Sequence, residues 1–137
     1  MKRVTADSNI YVSALIWGGK PLKLLELALQ GEIELAISPD IQNETLRILH
    51  DKFHLAAEEM AKAEGFLMKA ARMVTPTERL NVVQWDPDDN AILECAVAAG
   101  SDTVVSGDTD LLRLGTLRGI KIQRLSEFLA ERSGRGL

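Results

Sequence analysis

The chain has 137 residues, 46% hydrophobic and 26% charged, which is the composition of one ordinary globular domain. We expect residues 1–137 to form that domain, with residues 133–137 as a frayed tail. A net charge of -4 gives no broad attraction for phosphate and by itself argues against a nucleic-acid partner. The single cysteine, Cys95, excludes an intrachain disulfide, and no segment approaches the roughly 18 apolar residues of a membrane span. We therefore expect a cytoplasmic protein without a membrane partner.

The charge is distributed unevenly along the chain. Six of the nine aspartates lie between Asp86 and Asp110. From Arg113 to the end, six basic residues face two acidic ones, a net charge of +4. The sequence thus places an acidic centre next to a basic flank, which is not the same as a uniformly acidic surface.

Hydrophobic periodicity predicts strands that alternate with helices, the pattern of an α/β protein whose parallel sheet is covered on both faces. Capping residues and glycines mark the helix ends: Ser38 before Pro39 predicts a start, and Gly100 predicts an end. The predicted strands are residues 4–6, 33–37, 82–83, 103–106 and 120–122, the last at the sheet edge. The predicted helices are residues 10–17, 21–30, 39–53, 56–72, 87–99, 109–114 and 125–131.

Two aspartates follow predicted strands directly. Asp7 comes after the first strand, and Asp108 comes after the fourth. In an open parallel sheet, ligands bind just beyond the carboxyl ends of the strands, so both side chains would lie at one rim if those strands are neighbours. The plain alternative is that each aspartate only caps the helix that follows it, and for either residue alone this is the stronger interpretation.

Two further carboxylates fall on apolar helix faces. Glu44 lies three residues after Ile41, on the same face of its predicted helix, and Asp89 lies three residues before Ile92. A buried ion pair or a helix cap would explain each one separately. Their occurrence together on inward faces favours a functional site.

Four carboxylates at one sheet edge repel one another strongly. Two unit charges 4 Å apart cost about 4 kcal/mol at an effective dielectric near 20. Such a cluster persists only if some groups are protonated or a cation is bound. Oxygen ligands without His or Cys favour Mg²⁺ or Mn²⁺, ions that commonly support hydrolysis of phosphodiesters.

This arrangement resembles the PIN domain family of metal-dependent ribonucleases. The matching segments are residues 7–9, 38–44, 86–90 and 105–112, in the family's order and spacing. The chain is most similar to the branch described as toxins of toxin–antitoxin pairs, the VapC-type toxins. The resemblance implies a three-layer α/β/α PIN-like fold with a parallel sheet of strand order 3-2-1-4-5.

The resemblance also implies a set of site residues. Four acidic residues would form the catalytic and metal-binding quartet, and a fifth acid is a possible further ligand. Two polar residues would help to orient these carboxylates. Asp86 and Asp88 compete with Asp89 for its place, but the helical-face argument favours Asp89. The quartet is Asp7, Glu44, Asp89 and Asp108, the fifth ligand is Asp110, and the supporting residues are Asn9 and Ser106.

The implied activity is hydrolysis of single-stranded or loop RNA with Mg²⁺ or Mn²⁺ as cofactor. The implied partners are RNA, a cognate antitoxin protein and a second copy in a homodimer. Leu15, Ile16 and Trp17 offer an apolar surface for either protein contact, unless they belong to the core. Four basic residues are candidates for RNA phosphates, with a solvated surface as an equal alternative: Arg113, Arg118, Lys121 and Arg124.

Two other classes of function stay open. One is a phospho-acceptor signalling domain that binds Mg²⁺, with Asp86 after residues 82–85 as a possible acceptor, although no lysine follows a late strand in the required place. The other is a catalytically silent domain that keeps the fold for protein contacts. The presence of all four acids argues against this silent reading.

Overall fold

The computed structural model of the chain describes residues 1–82 and 86–134. The strands are β1 (Lys2–Ala6), β2 (Ile33–Ile37), β3 (Ala71–Met73), β4 (Thr103–Val105), β5 (Thr116–Leu117) and β6 (Ile120–Gln123). The helices are α1 (Ser8–Ile16), α2 (Gly19–Leu29), α3 (Pro39–Asp51), α4 (Ala57–Ala70), α5 (Pro87–Ala99), α6 (Thr109–Leu114) and α7 (Leu125–Gly134).

The strands form one sheet in the order β3-β2-β1-β4-β6-β5. All neighbouring pairs are parallel except β5 and β6, which form an antiparallel hairpin. The predicted α/β class is confirmed, and so is the predicted order of the five parallel strands, which are β3-β2-β1-β4-β6 in the structure. The prediction of a wholly parallel sheet ending at residues 120–122 is wrong, because β5 adds a short antiparallel strand outside β6.

The third strand lies elsewhere than predicted. The sequence pattern favoured residues 82–83, but Val82 lies in a bend and residue 83 is outside the described ranges. The strand is instead β3, at the end of the predicted helix 56–72. Backbone pairing with β2, from Leu35 opposite Ala71 to Ile37 opposite Met73, overrides the helical preference of this alanine-rich segment.

Helices cover both faces of the sheet, as the predicted three-layer arrangement requires. The central strands are buried apolar runs, which is typical of parallel sheets. α5 packs against β1, β2 and β4, whereas α2 packs against β2 and also contacts α7. Right-handed crossovers place the β1-to-β2 and β3-to-β4 connections on opposite faces, because the two connections run in opposite directions across the sheet.

The register of β1 and β4 positions the functional edge. Ala6 lies opposite Val105, so the residues that follow these two strands emerge side by side. The backbone N–H of Asp7 donates to the carbonyl of Val105 at 3.1 Å, which fixes this junction. β2, the other neighbour of β1, leads into α3 through Ser38, whose hydroxyl accepts from the N–H of Ile41.

The chain's last helix is longer than predicted. α7 continues to Gly134, past the expected end at residue 131, and residues 135–137 of the predicted tail lie outside the described residues. Within residues 1–82 and 86–134, no helix combines the length and the apolar composition that crossing a bilayer needs.

Gly100 ends α5 in the left-handed conformation, with φ of 63°, as the sequence predicted. Gly100→Ala should lower the free energy of unfolding by about 1 kcal/mol, because alanine is strained at positive φ. The matched control is Gly65→Ala inside α4, where an added Cβ meets nothing within 4 Å and the variant should gain about 1 kcal/mol. Urea denaturation measures both changes, and equal effects of the two variants would contradict the assignment.

Candidate metal centre

Three helices begin at the carboxyl edge of the sheet, and an aspartate caps each one. Asp7 caps α1, Asp86 caps α5 and Asp108 caps α6. In each case Oδ1 accepts from the backbone N–H two residues further on, at 2.9, 3.0 and 2.9 Å respectively. The three carboxylates are therefore oriented by their own helices.

Capping and site chemistry are compatible here, because the caps use only one oxygen of each carboxylate. Oδ2 is not needed for the cap, and in Asp7 it accepts the hydroxyl of Ser106. The positive end of each helix dipole lies at its capping aspartate and offsets part of the repulsion between the carboxylates. For Asp7 and Asp108, capping a helix and belonging to a functional site are therefore not alternatives.

Three carboxylates come close enough to share a cation. One oxygen from each of Asp86, Asp89 and Asp108 lies within 4.8 Å of the other two. Asp89 is only 4% exposed, and its Oδ2 is a buried atom with no hydrogen-bond partner among the described residues. A buried oxygen without a partner is costly, so this atom is suited to a proton or a bound cation.

The electrostatics of Asp89 agree with that geometry. Burial first, and then the neighbouring Asp108 and Asp86 carboxylates, together raise its pKa from the ordinary 3.8 to about 8. The metal-free chain thus holds a proton on Asp89 near neutral pH. A divalent cation would replace that proton by satisfying the same oxygens.

Ser106 connects two of the acidic residues. Its hydroxyl donates to Asp7 Oδ2 at 2.7 Å and accepts from the backbone N–H of Asp108 at 2.9 Å. Ser106 is fully buried at the end of β4, so this link is shielded from water. The second oxygen of Asp7 is thereby aimed and held.

Glu44 lies on the α3 side of the cluster and contacts a different carboxylate. Burial and then the adjacent Asp88 raise the pKa of Glu44 to about 7, whereas a hydrogen bond with Ser8 lowers it. Asp7 also raises this pKa, which places it between the Glu44 pair and the three-carboxylate cluster. The acids form two adjoining groups with Asp7 between them.

The remaining predicted ligand and one supporting residue lie at the periphery. The carboxylate of Asp110 is exposed and lies 3.8 Å from Arg113, so its role as a fifth ligand stays a prediction. Asn9 is exposed and contributes its backbone N–H to Asp7. Sequence reasoning set aside Asp86, although an aspartate directly before Pro87 is a capping signal that marks it.

Two of the four predicted RNA-contacting residues are held by acidic partners. Arg118 makes two hydrogen bonds with Glu78, at 2.7 and 2.9 Å, and Lys121 pairs with Glu131 at 2.8 Å. Lys121 lies opposite Thr103, at the start of β4 and away from the carboxyl edge.

The other two predicted cations are less constrained. Arg113 lies in the last turn of α6, near Asp110, and Arg124 directly follows β6 and so lies at the carboxyl edge. The four predicted RNA contacts thus do not form one surface facing the carboxylates, and their role stays a prediction.

The donor set fits a hard divalent cation. The clustered ligand atoms are all carboxylate oxygens, and one of them is buried without a partner. Mg²⁺ and Mn²⁺ take such ligands, whereas structural zinc sites are built from Cys and His. The residues present are therefore suited to hold such an ion.

An open, mostly parallel sheet with acidic side chains clustered at its carboxyl edge defines an α/β protein with a candidate metal site. The PIN domain family model matches residues 3–110, and the chain belongs to this family. No curated protein sequence matches it at a significant level.

A solved structure has a similar fold. A chain in the crystal structure of VapBC2 from Rickettsia felis, bound to a DNA fragment from their promoter, superimposes with a TM-score of 0.65. The alignment covers 89% of this chain and 98% of that chain at 15% sequence identity. At this identity the likeness bears on the fold alone.

The raised pKa of Asp89 predicts how pH affects the metal-free chain. The folded chain binds this proton more tightly than the unfolded chain, so the contribution to stability is present below pH 3.8 and is lost as pH rises through about 8. Asp89→Asn, which mimics the protonated side chain, should therefore be more stable than the parent above pH 8 in EDTA and closer to it near pH 5. Thermal melts at both pH values measure the difference.

Added Mg²⁺ or Mn²⁺ should stabilise the parent at the higher pH and not Asp89→Asn, because only the parent retains the ligand. A parent-to-variant difference that does not change with pH would contradict the assigned electrostatics.

Proposed function

We propose that this chain is a metal-dependent endoribonuclease that hydrolyses phosphodiester bonds of single-stranded or loop RNA. The observation that carries the proposal is the unpartnered buried oxygen of Asp89, next to Asp86 and Asp108, on a PIN domain. A divalent cation would bind this group in place of a proton, and carboxylate-bound divalent cations commonly support phosphodiester hydrolysis.

Each residue of the site has a distinct task in this proposal. Asp89 and Asp108 hold Mg²⁺ or Mn²⁺ with Asp86 as the third nearby carboxylate. Asp7, positioned by Ser106, supplies its Oδ2 to the same site. When bound, the cation lowers the pKa of a coordinated water and neutralises charge on the phosphodiester.

Glu44 completes the acidic quartet from the α3 side. Its carboxyl lies beside Asp88 and is influenced by Asp7, so it borders the same space from another element. We assign it to the catalytic and metal-binding set, as the family resemblance implies. A single strand fits this edge better than a duplex, because a splayed backbone reaches recessed carboxylates more easily.

We further propose that the protein is the toxin of a toxin–antitoxin pair, acting in the cytoplasm. The fold is similar to that of a chain in the crystal structure of VapBC2, which supports the proposal of an antitoxin protein as partner. The predicted apolar contact surface is partly present: Trp17 is 77% exposed and packs edge-on against Phe53, at 6.3 Å between ring centroids. Leu15 and Ile16 are half-buried beside it, and we place the antitoxin on this side, with homodimer formation as a separate proposal.

The first test is cleavage of single-stranded RNA by the purified chain. Activity should require Mg²⁺ or Mn²⁺ and disappear with EDTA, and Asp7→Asn and Asp108→Asn should each reduce the rate by at least about 10²-fold. Circular dichroism checks that the variants fold. Cleavage that persists in Asp108→Asn would refute the site, and cleavage that survives chelation would refute the metal mechanism.

The same preparation separates the alternative functions. Labelling by acetyl phosphate without any nuclease activity would support a phospho-acceptor domain, in which Asp86 is the candidate. A folded chain that binds Mn²⁺ but neither cleaves RNA nor takes up phosphate would support a silent interaction domain.

The second test concerns the positioning role of Ser106. Ser106→Ala removes the 2.7 Å hydrogen bond to Asp7 and the acceptor for the N–H of Asp108. We expect a loss of about 10- to 100-fold in metal affinity or activity, the usual cost of removing a group that orients a ligand. Ser126→Ala, at an exposed serine of α7, is the matched control and should behave as the parent. A Mn²⁺ titration that gives equal affinities for the two variants would exclude this role.

A further inference from the structure

A groove of about 560 Å³ adjoins the acidic cluster, with Glu44 in its wall. It is bounded by α3 on one side, by α5 on another and by residues 79–81 of the connection that leads into α5. Glu44 and Asp88 line the groove. Asp86 and Asp89, which lie on either side of Asp88 in the sequence, belong to the metal cluster, so the groove adjoins the candidate metal centre. Any chain held in it would extend away from that centre.

Two arginines line this groove. Arg47 lies three residues after Glu44 on α3, one turn and about 4.5 Å further along the helix axis. Within the described residues, Arg47 makes no ion pair. Its guanidinium is exposed and has all of its donors available.

Arg79 enters the groove from the connection before α5. Its side chain is 88% exposed and approaches Glu94 at 3.6 Å and Asp40 at 3.9 Å. Both distances are too long for hydrogen bonds, so the donors of this guanidinium can still bind a phosphate group. Arginine suits that task, because its planar fork matches two phosphate oxygens.

The wall that carries Arg79 is held in place by α5. The buried carboxylate of Glu94 accepts from the backbone N–H of Leu80 at 2.8 Å, and the amide oxygen of Asn90 accepts from the N–H of Val82 at 3.0 Å. The first contact gives Glu94 a hydrogen-bond donor, and Arg79 offsets its charge at 3.6 Å. Asp40, Glu44 and Asp88 also line the groove, so the two arginines are the cations that a phosphate could contact there. A fixed wall lowers the entropic cost of binding a flexible strand.

We propose that this groove binds the RNA backbone next to the scissile phosphodiester, with Arg47 and Arg79 contacting phosphate oxygens. The proposal rests on the proposed ribonuclease function and extends it to residues outside the acidic site. Arg118 and Lys121 donate hydrogen bonds to Glu78 and Glu131. Within the described residues, the two guanidinium groups that line the groove make no hydrogen bond to a carboxylate. The exposed amides of Asn43 and Asn81 add donors and acceptors for a base edge.

The experiment measures binding of a fluorescein-labelled, mixed-sequence single-stranded RNA of about 12 nucleotides. Asp108→Asn is the background, so that the RNA is not cleaved. Arg47→Ala and Arg79→Ala should each weaken binding about tenfold, the loss expected for a charge-assisted contact. Each should also reduce the slope of log affinity against log salt by about 0.7, because one phosphate contact is lost.

Matched variants make the result specific. Lys69→Ala removes an exposed cation of α4, outside the groove, and should leave affinity and salt slope unchanged. Arg47→Lys should restore most of the salt slope but only part of the affinity, because lysine keeps the charge and loses the fork. Melting temperatures confirm that each variant is folded.

The outcomes distinguish failure of the groove proposal from failure of the ribonuclease proposal. Parental binding with unchanged affinity in Arg47→Ala and Arg79→Ala would overturn the groove and leave the ribonuclease assignment standing, particularly if Arg113→Ala and Arg124→Ala weaken binding instead. Absence of both binding and cleavage by the parent would overturn both proposals.

Discussion

The structure of the site depends on one interaction used three times: an aspartate caps the helix that follows it with one carboxylate oxygen, and the cap does not need the other oxygen. Asp7, Asp86 and Asp108 each do this at the same edge of the sheet. The cap fixes the position of each carboxylate without a dedicated scaffold, because the helix itself orients it. It also sets the helix dipole against the negative charge, so that acids can be gathered where they would otherwise repel each other more strongly.

The caps do not remove the repulsion completely. Asp89 projects from the first turn of α5 into the space between the capping carboxylates, and its buried oxygen has no partner among the described residues. Burial and its neighbours raise its pKa to about 8, which shows that the chain by itself stabilises the anion poorly there. The hydrogen bond from Ser106 fixes the position of the Asp7 carboxylate next to these acids. A bound cation would offset the repulsion between these carboxylates. The chain belongs to the PIN domain family, and the hydrolysis proposed for it depends on such a cation.

The charge balance acquires a different meaning once it is located. The net charge of -4 argues against a nucleic-acid partner only for a uniform surface. Here, part of the acidity is confined to the sheet edge, where protons or a cation neutralise it. The cations also differ in their surroundings. Arg118 and Lys121 form hydrogen-bonded ion pairs with nearby carboxylates, whereas Arg47 and Arg79 line a groove that adjoins the site. Position in a basic segment of the sequence therefore does not tell which of these cations are already paired with acids.

The sequence by itself determined the α/β class, β1, β2 and β4, the end of α5 at Gly100, and the places of Asp7 and Asp108 after β1 and β4, because buried strands, capping residues and a left-handed glycine leave local signals. It could not locate β3, since these three residues, at the end of an alanine-rich segment, become a strand only by pairing with β2. It also set aside Asp86 and could not say which arginines are free, because those properties depend on residues up to 40 positions apart, such as Arg118 and Glu78. Local pattern fixed which elements form, and only tertiary contacts decided which oxygens converge and which cations remain available.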